Sequence, residues 1–314
     1  MSSSAPALPL ILLLALGWAC RRMPGLPGPV ETRRTLNAVV ISVLMPALMF
    51  QAMRRTALDG AFVLVPLVAL GSLLLSFIAA LAVYAAWQKI TGLKLPKPTL
   101  GALVFCAAFG NITFLGLPLL TAYFGDVAPK IVLLHDPFCL GPLVYACGPA
   151  LGAWFGDGGT SVVRRRWDPL RAVLRMPPFW AVGAGLLAQI WHLPVPAAVD
   201  HTLGLMSQAV IPLIVFSVGL ALELPATRRH WGGLVVLAPA AALKLFFTPL
   251  VTLGLLGFAR HIAPHVLTAT EHHAVALEGA MPTMVVTAMI AETVGLDHRT
   301  AARMVALTTV LSVV

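Results

Sequence analysis

The chain has 314 residues, of which 59% are hydrophobic and only 11% are charged, and its mean hydropathy is +0.91. A typical soluble domain is about 45–50% apolar and about 25% charged, so this composition excludes a soluble enzyme, a disordered chain and a secreted disulfide scaffold. Lys and Arg (21) outnumber Asp and Glu (12), but these basic residues lie between apolar runs. We therefore expect the lipid bilayer, and not nucleic acid, to be the partner of the basic residues.

Ten apolar runs follow one another, and each approaches the roughly 20 residues that a helix needs to span a bilayer. They predict an all-α polytopic membrane protein with ten transmembrane helices. Arg21 and Arg22 follow the first run, and no basic residue precedes it, so we expect a retained span and not a cleaved signal peptide. The runs lie at about residues 5–20, 36–53, 61–88, 99–122, 130–154, 177–192, 202–222, 231–258, 274–294 and 300–314.

The basic residues in the loops predict the orientation of these helices. Sixteen Lys and Arg residues lie in alternate loops that begin after the first run, and four lie in the opposite loops. Because cytoplasmic loops carry the excess of Lys and Arg, both termini are expected on the outer, periplasmic side. The arginine-rich stretch at 157–175 is then expected in the cytoplasm.

The two halves of the sequence resemble each other in three places. Residues 9–17 resemble 178–185, residues 43–50 resemble 209–216, and residues 109–111 correspond to 281–283, with offsets of 169, 166 and 172. We predict a first five-helix repeat at 1–154, a cytoplasmic basic loop at 155–176 and a second repeat at 177–314. An odd number of spans inverts the second copy, and inverted repeats are typical of transporters whose substrate site lies at the repeat interface. Chance likeness among Leu- and Pro-rich helices is the alternative.

The fourth and ninth runs contain glycine or proline beside polar residues at mid-membrane, which predicts two broken helices. Proline removes a backbone donor, and irregular backbone at membrane depth is tolerated only where it is buried or lines a cavity. Half-helix N-termini at such breaks favour an anion, although a kink packed by neighbouring helices is the alternative. The expected contacts with a substrate or ion are Gly110, Asn111, Thr113, Pro282 and Thr283, and structural bends are expected at Pro46, Pro118 and Pro212.

Ionisable residues inside the runs are few, and each is costly unless it serves a pathway or pairs with another charge. Lys244 and Glu278 either pair with each other, or act separately. In the second case Lys244 attracts an anionic substrate or replaces a coupling cation, and Glu278 binds a proton or a sodium ion. His135 and Asp136, near the start of the fifth run, are more typical of a solvated helix end than of a proton relay.

No HExxH sequence and no Walker loop occurs, so we expect neither enzymatic activity nor a cofactor. Without an ATP site, any uphill transport must use an ion gradient or the gradient of the substrate itself. A proton or sodium ion is the expected coupling ion, and the one metal site considered is a sodium ion near Glu278.

Six segments, in order along the chain, resemble the auxin efflux carrier family in its bacterial branch: LPLILLLALGWACRR, LNAVVISVLMPALMFQAM, FGNITFLGLPLL, IPLIVFSVGLALE, LKLFFTPL and AMPTMVVTAMIAE. The resemblance implies ten helices in two inverted five-helix repeats, with broken helices 4 and 9 crossing at their centres, similar to bile acid:sodium symporters and sodium/proton antiporters. It also implies a small organic anion as substrate. We expect a bacterial inner-membrane location, and a second copy of the chain, as a homodimer, is a candidate partner. Plant members move indole-3-acetate, and some bacterial members move malonate or malate.

Carried over by position, Gly110 stands at the first crossover proline of the plant members, and Asn111 follows as it does there. Pro282 matches the second crossover proline, and Lys244 occupies a basic position often seen in span 8. Two features depart from the plant pattern: Gly110 replaces proline, and the third run has no carboxylate. Glu278 and Gly279 resemble the Glu-Gly of sodium-coupled bile acid carriers, so sodium coupling stays open.

The sequence thus predicts an alternating-access, secondary-active transporter of a small organic anion, either a mono- or dicarboxylate or an auxin-like weak acid. The alternatives are a sodium-coupled symporter of the bile acid type, an anion-binding membrane sensor without flux, and a channel.

Overall fold

A computed structural model describes residues 8–156, 174–221 and 231–313, apart from Pro24 and Leu26. Most of the expected cytoplasmic loop at 155–176 lies outside the described residues, as do Arg228 and Arg229. The described part is all-helical, and its one β-type feature is an isolated antiparallel bridge between Gly110 and Thr283. This confirms the expected all-α class.

The helices follow the apolar runs because a segment in lipid must satisfy its backbone N–H and C=O groups internally. Among the described residues, five helical stretches are long and apolar enough to cross a membrane: Pro29–Arg55, Ala61–Thr91, Val127–Phe155, Ala197–Leu220 and Leu234–Ile262. The α-helices in chain order are α1 Leu8–Ala19, α2 Pro29–Val39, α3 Met45–Arg55, α4 Ala61–Thr91, α5 Lys97–Ala108, α6 Leu117–Phe124, α7 Val127–His135, α8 Gly141–Phe155, α9 Pro177–Ile190, α10 Ala197–Ala221, α11 Trp231–Ala242, α12 Thr248–Ile262, α13 Ala269–Gly279, α14 Val286–Thr293 and α15 His298–Val313.

In the part of the chain that the structure describes, four π-helical segments of five residues widen the helices locally, at Val40–Leu44, Ile112–Gly116, Asp136–Leu140 and Leu243–Phe247. Each is followed by an α-helix whose second residue is proline. Proline lacks an N–H and its ring displaces the carbonyl of the preceding turn, so the chain bonds over a wider turn before it. The expected bends at Pro46 and Pro118 lie two residues after such segments, whereas Pro212 lies inside α10.

The chain forms two compact units, and each draws on both halves of the sequence. Unit 1 comprises Met1–Leu58, Thr113–Pro137 and Leu174–Ala226. Within it α1 crosses α10 at Gly17 and Gly219, where an added methyl group would lie 2.2 Å from Phe216 O and 2.3 Å from Leu14 O. The backbones therefore touch directly, as small residues allow at helix crossings in membranes.

Unit 2 comprises Asp59–Ile112, Phe138–Val173 and Thr227–Val314. Its centre is α5, which contacts α4, α8, α11, α14 and α15 and is buried from Gly101 onward. Hydroxyl pairs join α4 to α12: Ser72 Oγ lies 3.0 Å from Thr252 Oγ1, and Ser76 Oγ lies 2.9 Å from Thr248 Oγ1. The end of α5 therefore lies deep inside this unit, surrounded by the helices that it contacts. The predicted division at 1–154, 155–176 and 177–314 stays a prediction.

Candidate functional site

Two helix interruptions meet in unit 2, at residues 109–111 after α5 and at residues 282–284 between α13 and α14; together we call them the paired interruption. The Asn111 N–H donates to Pro282 O at 2.7 Å, and the Met284 N–H donates to Phe109 O at 3.0 Å. Backbone groups freed by one interruption are thus bonded by the other. This is how irregular backbone is tolerated away from water.

Local sequence explains both interruptions. Pro282 has no N–H for the Glu278 carbonyl four residues earlier, and α13 instead closes with a tight turn in which the Met281 N–H donates to Glu278 O at 3.1 Å. At Gly110, an added methyl group would lie 3.1 Å from Lys244 Nζ. The glycine therefore lets the ammonium group approach the backbone closely.

The Thr283 side of the paired interruption is closed by hydrogen bonds. Thr283 is fully buried, and its hydroxyl donates to Cys106 O on α5 at 3.1 Å. Its N–H donates to Thr308 Oγ1 on α15 at 3.1 Å. Because these bonds tie Thr283 to both α5 and α15, Thr283 fixes the geometry of the interruption.

The Asn111 side has polar groups without hydrogen-bond partners among the described residues, and we call it the open side for that reason. The Asn111 side chain is buried, at 1% exposed, but neither its Oδ1 nor its Nδ2 has a partner there. A buried polar group without a partner costs about 1–3 kcal/mol, and such groups are rare in native structures. The amide offers two donors and an acceptor to a bound molecule.

Lys244 adds a positive charge next to Gly110. It is 2% exposed, it lies in the π-helical segment Leu243–Phe247, and its ammonium makes no ion pair or hydrogen bond with the described residues. The pairing with Glu278 that the sequence allows is therefore not formed in this part of the chain. Burying a cation without a protein counter-ion costs free energy, and such a group is typical of a binding site for an anion.

Glu278 is also buried, at 1% exposed, on the last turn of α13. The neighbouring Gly279 packs against α12, since an added methyl group would lie 2.5 Å from Thr252 Oγ1. A sodium ion near Glu278 stays a prediction. Within the described residues, no group of three or more His, Cys, Asp or Glu side chains is placed to hold a metal ion.

Thr113 belongs to unit 1, where its hydroxyl donates a hydrogen bond to Asp136.

The sequence favours a solvated helix end at His135 and Asp136, but the structure places both residues inside a longer helical stretch. The helix begins at Val127, nine residues before Asp136, and continues through the π-helical segment to Phe155. Pro129 and Lys130 lower the hydropathy of its first turn, where proline is tolerated because the N–H has no intrahelical partner. The sequence thus misses the first turn of this helix, and Asp136 lies within the helical stretch and not at its end.

A surface cavity of about 290 Å³ lies at the ends of α12 and α13 in unit 2. Arg260, His272 and His273 are among the residues that line it, and none of the expected site residues does. The polar groups of the paired interruption, and not this cavity, identify the candidate site.

Comparison with known proteins covers both halves of the chain. Residues 2–142 and 168–314 match a family described as membrane transport protein. An uncharacterized transporter of Methanothermobacter thermautotrophicus is 28% identical over 318 residues, which is 100% of this chain and 96% of the relative. An uncharacterized transporter of Methanocaldococcus jannaschii is 25% identical over 298 residues, or 90% and 87% of the two chains. A protein of Rhizobium meliloti described as a "putative malonate transporter" is 25% identical over 311 residues, or 98% and 91%.

Proposed function

Because the chain belongs to the membrane transport protein family, we propose that it is a secondary-active, alternating-access transporter of a small organic anion. The anion is a mono- or dicarboxylate such as malonate or malate, or an auxin-like weak acid. The relative described as a malonate transporter supports a dicarboxylate. The sequence contains no Walker loop, so the driving force comes from an ion gradient or from the substrate itself.

The observation that carries this proposal is the open side of the paired interruption. The Asn111 amide and the Lys244 ammonium are both buried and both lack a described partner, and both lie beside Gly110. One carboxylate satisfies both groups, accepting a hydrogen bond from the amide and pairing with the ammonium. Charge-assisted hydrogen bonds of this kind are stronger than neutral ones, and the pair is neutral overall.

The helix ends at the paired interruption support the same choice of ligand. α14 begins at Val286, two residues after Met284, and the first N–H groups of a helix carry partial positive charge. We propose that ten spans form two inverted repeats, at 1–154 and 177–314, with helices 4 and 9 crossing at the paired interruption. Both termini then face the periplasm of a bacterial inner membrane.

The remaining site residues have distinct proposed roles. Pro282 ends α13 and Thr283 holds the interruption in place, so that Gly110 and Asn111 present their polar groups to the anion. Glu278, buried near the same interruption, is a candidate for the coupling ion, whether proton or sodium.

Flux measurements with Lys244→Met test the proposal. Purified wild-type protein should gain thermal stability from malonate or malate and should move labelled anion into proteoliposomes. Lys244→Met should keep its thermal stability, since it loses an unpaired buried charge, but lose both ligand stabilisation and uptake. The matched control is Lys89→Met, which removes an exposed charge at the end of α4 and should behave as wild type.

Normal uptake by Lys244→Met would refute the role of this residue. Ligand stabilisation without flux would indicate a sensor, and conductance far above carrier turnover would indicate a channel. Uptake that requires sodium would favour a symporter of the bile acid type.

A further inference from the structure

The transport site proposed above uses neither Asp136 nor its neighbour His135, although both lie inside a helical stretch long enough to cross a membrane. Asp136 is the tenth residue of the 29-residue helical stretch Val127–Phe155. At a rise of about 1.5 Å per residue, it lies about 7–8 Å from the midpoint of that stretch. The hydrocarbon core of a bilayer is about 30 Å thick, so a centred stretch places this carboxyl well inside it.

The surroundings of Asp136 neutralise it only weakly. The Thr113 hydroxyl donates a hydrogen bond to Asp136 Oδ2, and no ion pair to Asp136 forms within the described residues. Of the ionisable groups there, His135 is the one that acts electrostatically on the carboxyl. Helices α3 and α6 pack against α7. The other ionisable residues of these three helices are Lys130 on α7, Tyr123 on α6, and Arg54 and Arg55 on α3. Both arginines pair with Asp200.

A proton fits this environment better than a metal cation does. Hard metal cations bind several oxygen ligands at once, whereas the one side-chain oxygen that hydrogen-bonds to Asp136 among the described residues is that of Thr113. A proton instead forms one O–H bond on the carboxylate and removes its charge. The Thr113 hydroxyl can donate to the carboxylate and accept from the carboxylic acid, so the contact persists in both protonation states.

The hydrogen-bond partner of this carboxyl is close in sequence to the candidate anion site. Thr113 follows Asn111 by two residues, and the π-helical segment Ile112–Gly116 begins directly after Asn111. The partner hydroxyl of Asp136 and the open amide therefore lie on one short stretch of backbone. Asp136 itself begins a second π-helical segment, Asp136–Leu140, and such segments are frequent at functional sites.

We propose that a proton accompanies the anion through the transporter and that Asp136, rather than the other candidate Glu278, binds it; this inference rests on the proposed transport function. The carboxylate takes one proton from hydronium on the side where the anion enters, leaving water. It returns that proton to water on the opposite side. No bond of the anion is made or broken, and Thr113 keeps its hydrogen bond throughout.

Two transport modes of the same proteoliposomes test the proposal. Net malonate uptake driven by an acidic outside solution requires the proton, and a one-unit pH gradient supports about tenfold accumulation per proton. Exchange of labelled for unlabelled malonate at equal pH requires only anion binding and the conformational change. Asp136→Asn should lose gradient-driven accumulation but keep exchange, whereas Asp136→Glu, which retains a titratable group, should keep both.

The matched control is Asp126→Asn, which removes an exposed carboxyl at the start of α7 and should leave both modes unchanged. Gradient-driven accumulation by Asp136→Asn would overturn the proposal, as would wild-type accumulation that follows a sodium gradient and ignores pH. Loss of exchange in Asp136→Asn, with exchange intact in the wild type, would assign the residue to anion binding and also overturn it. Absence of exchange in the wild type would refute the transport function itself.

Discussion

The two halves of the paired interruption are alike in backbone and opposite in their side chains. Asn111 and Thr283 both follow a glycine or proline, both are buried, and their segments bond to each other. The Thr283 hydroxyl donates to the Cys106 carbonyl, and the Thr283 N–H donates to the Thr308 hydroxyl. The amide of Asn111 has no partner in the described part of the chain.

This difference indicates that the two sides of the paired interruption have different roles: one supports the site and the other binds the ligand. A site holds its ligand groups in a fixed geometry when neighbouring residues support them through packing and hydrogen bonds. The Thr283 side supplies that support, because its bonds reach both α5 and α15. The Asn111 side, with Lys244 next to it, keeps its polar groups for a ligand. Substitutions on the two sides should therefore affect different measurements.

The largest contrast is expected between Asn111→Ala and Thr283→Val. Asn111→Ala removes an amide that has no partner, so thermal stability should stay the same or rise, while anion transport should be abolished. Thr283→Val keeps the shape but leaves the Cys106 carbonyl without its donor, which should lower the free energy of unfolding by about 1–3 kcal/mol. Thermal denaturation in detergent and malonate flux, measured on the same preparations, separate the two effects.

Transport by Asn111→Ala at the wild-type rate would contradict the assignment of the open side. So would a Thr283→Val variant that is as stable as wild type but does not bind malonate, since Thr283 would then contact the ligand directly.

The sequence predicts the positions of the two interruptions but not their hydrogen-bond partners. Gly110 and Pro282 mark the ends of helices through local backbone chemistry, which a sequence shows directly. The bonds between Asn111 and Pro282 and between Thr283 and Thr308 depend on which distant segments meet, and no local pattern encodes that. The two residue types thus look equivalent in the sequence, and only the structure shows that one is bonded and the other is open.

The position of Asp136 escapes sequence reasoning for another reason. Hydropathy places the start of the fifth span near residue 130, because a proline and a lysine occupy its first turn. The helix begins at Val127, and the hydrogen bond from Thr113 ties Asp136 to a segment 23 residues earlier. The sequence also leaves open whether Lys244 and Glu278 pair with each other. In the described part of the chain they do not.

A smaller effect is expected from a substitution at Gly110, where the Lys244 ammonium lies close to the backbone. Gly110 has no positive φ, so alanine can adopt its conformation, but the added methyl group would lie 3.1 Å from Lys244 Nζ. The flexible ammonium should move by a few tenths of an ångström, and Gly110→Ala should weaken malonate binding by about fivefold, or about 1 kcal/mol. Titration calorimetry measures this change.

Gly279→Ala is the matched control for that substitution. Its methyl group would lie 2.5 Å from Thr252 Oγ1 and 2.8 Å from Thr252 Cβ, so α13 and α12 would have to separate. This variant should lose thermal stability, whereas Gly110→Ala should lose affinity with little change in stability. Equal loss of stability in both variants would mean that Gly110 serves packing and not the ammonium.

An effect on stability alone is expected at Asp297, which directly precedes α15 and caps it, and so positions the helix that carries Thr308. Its carboxylate accepts hydrogen bonds from the Thr300 N–H at 3.0 Å and from the hydroxyls of Thr300 and Thr99 at 2.6 and 2.9 Å. Burial alone would raise the pKa of Asp297, but these hydrogen bonds outweigh it and hold the pKa below its ordinary value of 3.8. Asp297→Ala removes a helix cap and should lower the free energy of unfolding by about 1 kcal/mol at neutral pH.

The sign of the pKa shift fixes the pH dependence of that difference. Because the folded pKa lies below the unfolded one, the stabilisation by Asp297 is complete above pH 3.8 and is lost as the pH falls further. Thermal denaturation of wild type and Asp297→Ala in detergent, from neutral pH down to that range, should show two curves that converge on acidification. Curves that diverge at low pH would contradict a hydrogen-bonded carboxylate at this cap. Transport at neutral pH should be unchanged, because Asp297 supports the closed side only through the position of α15.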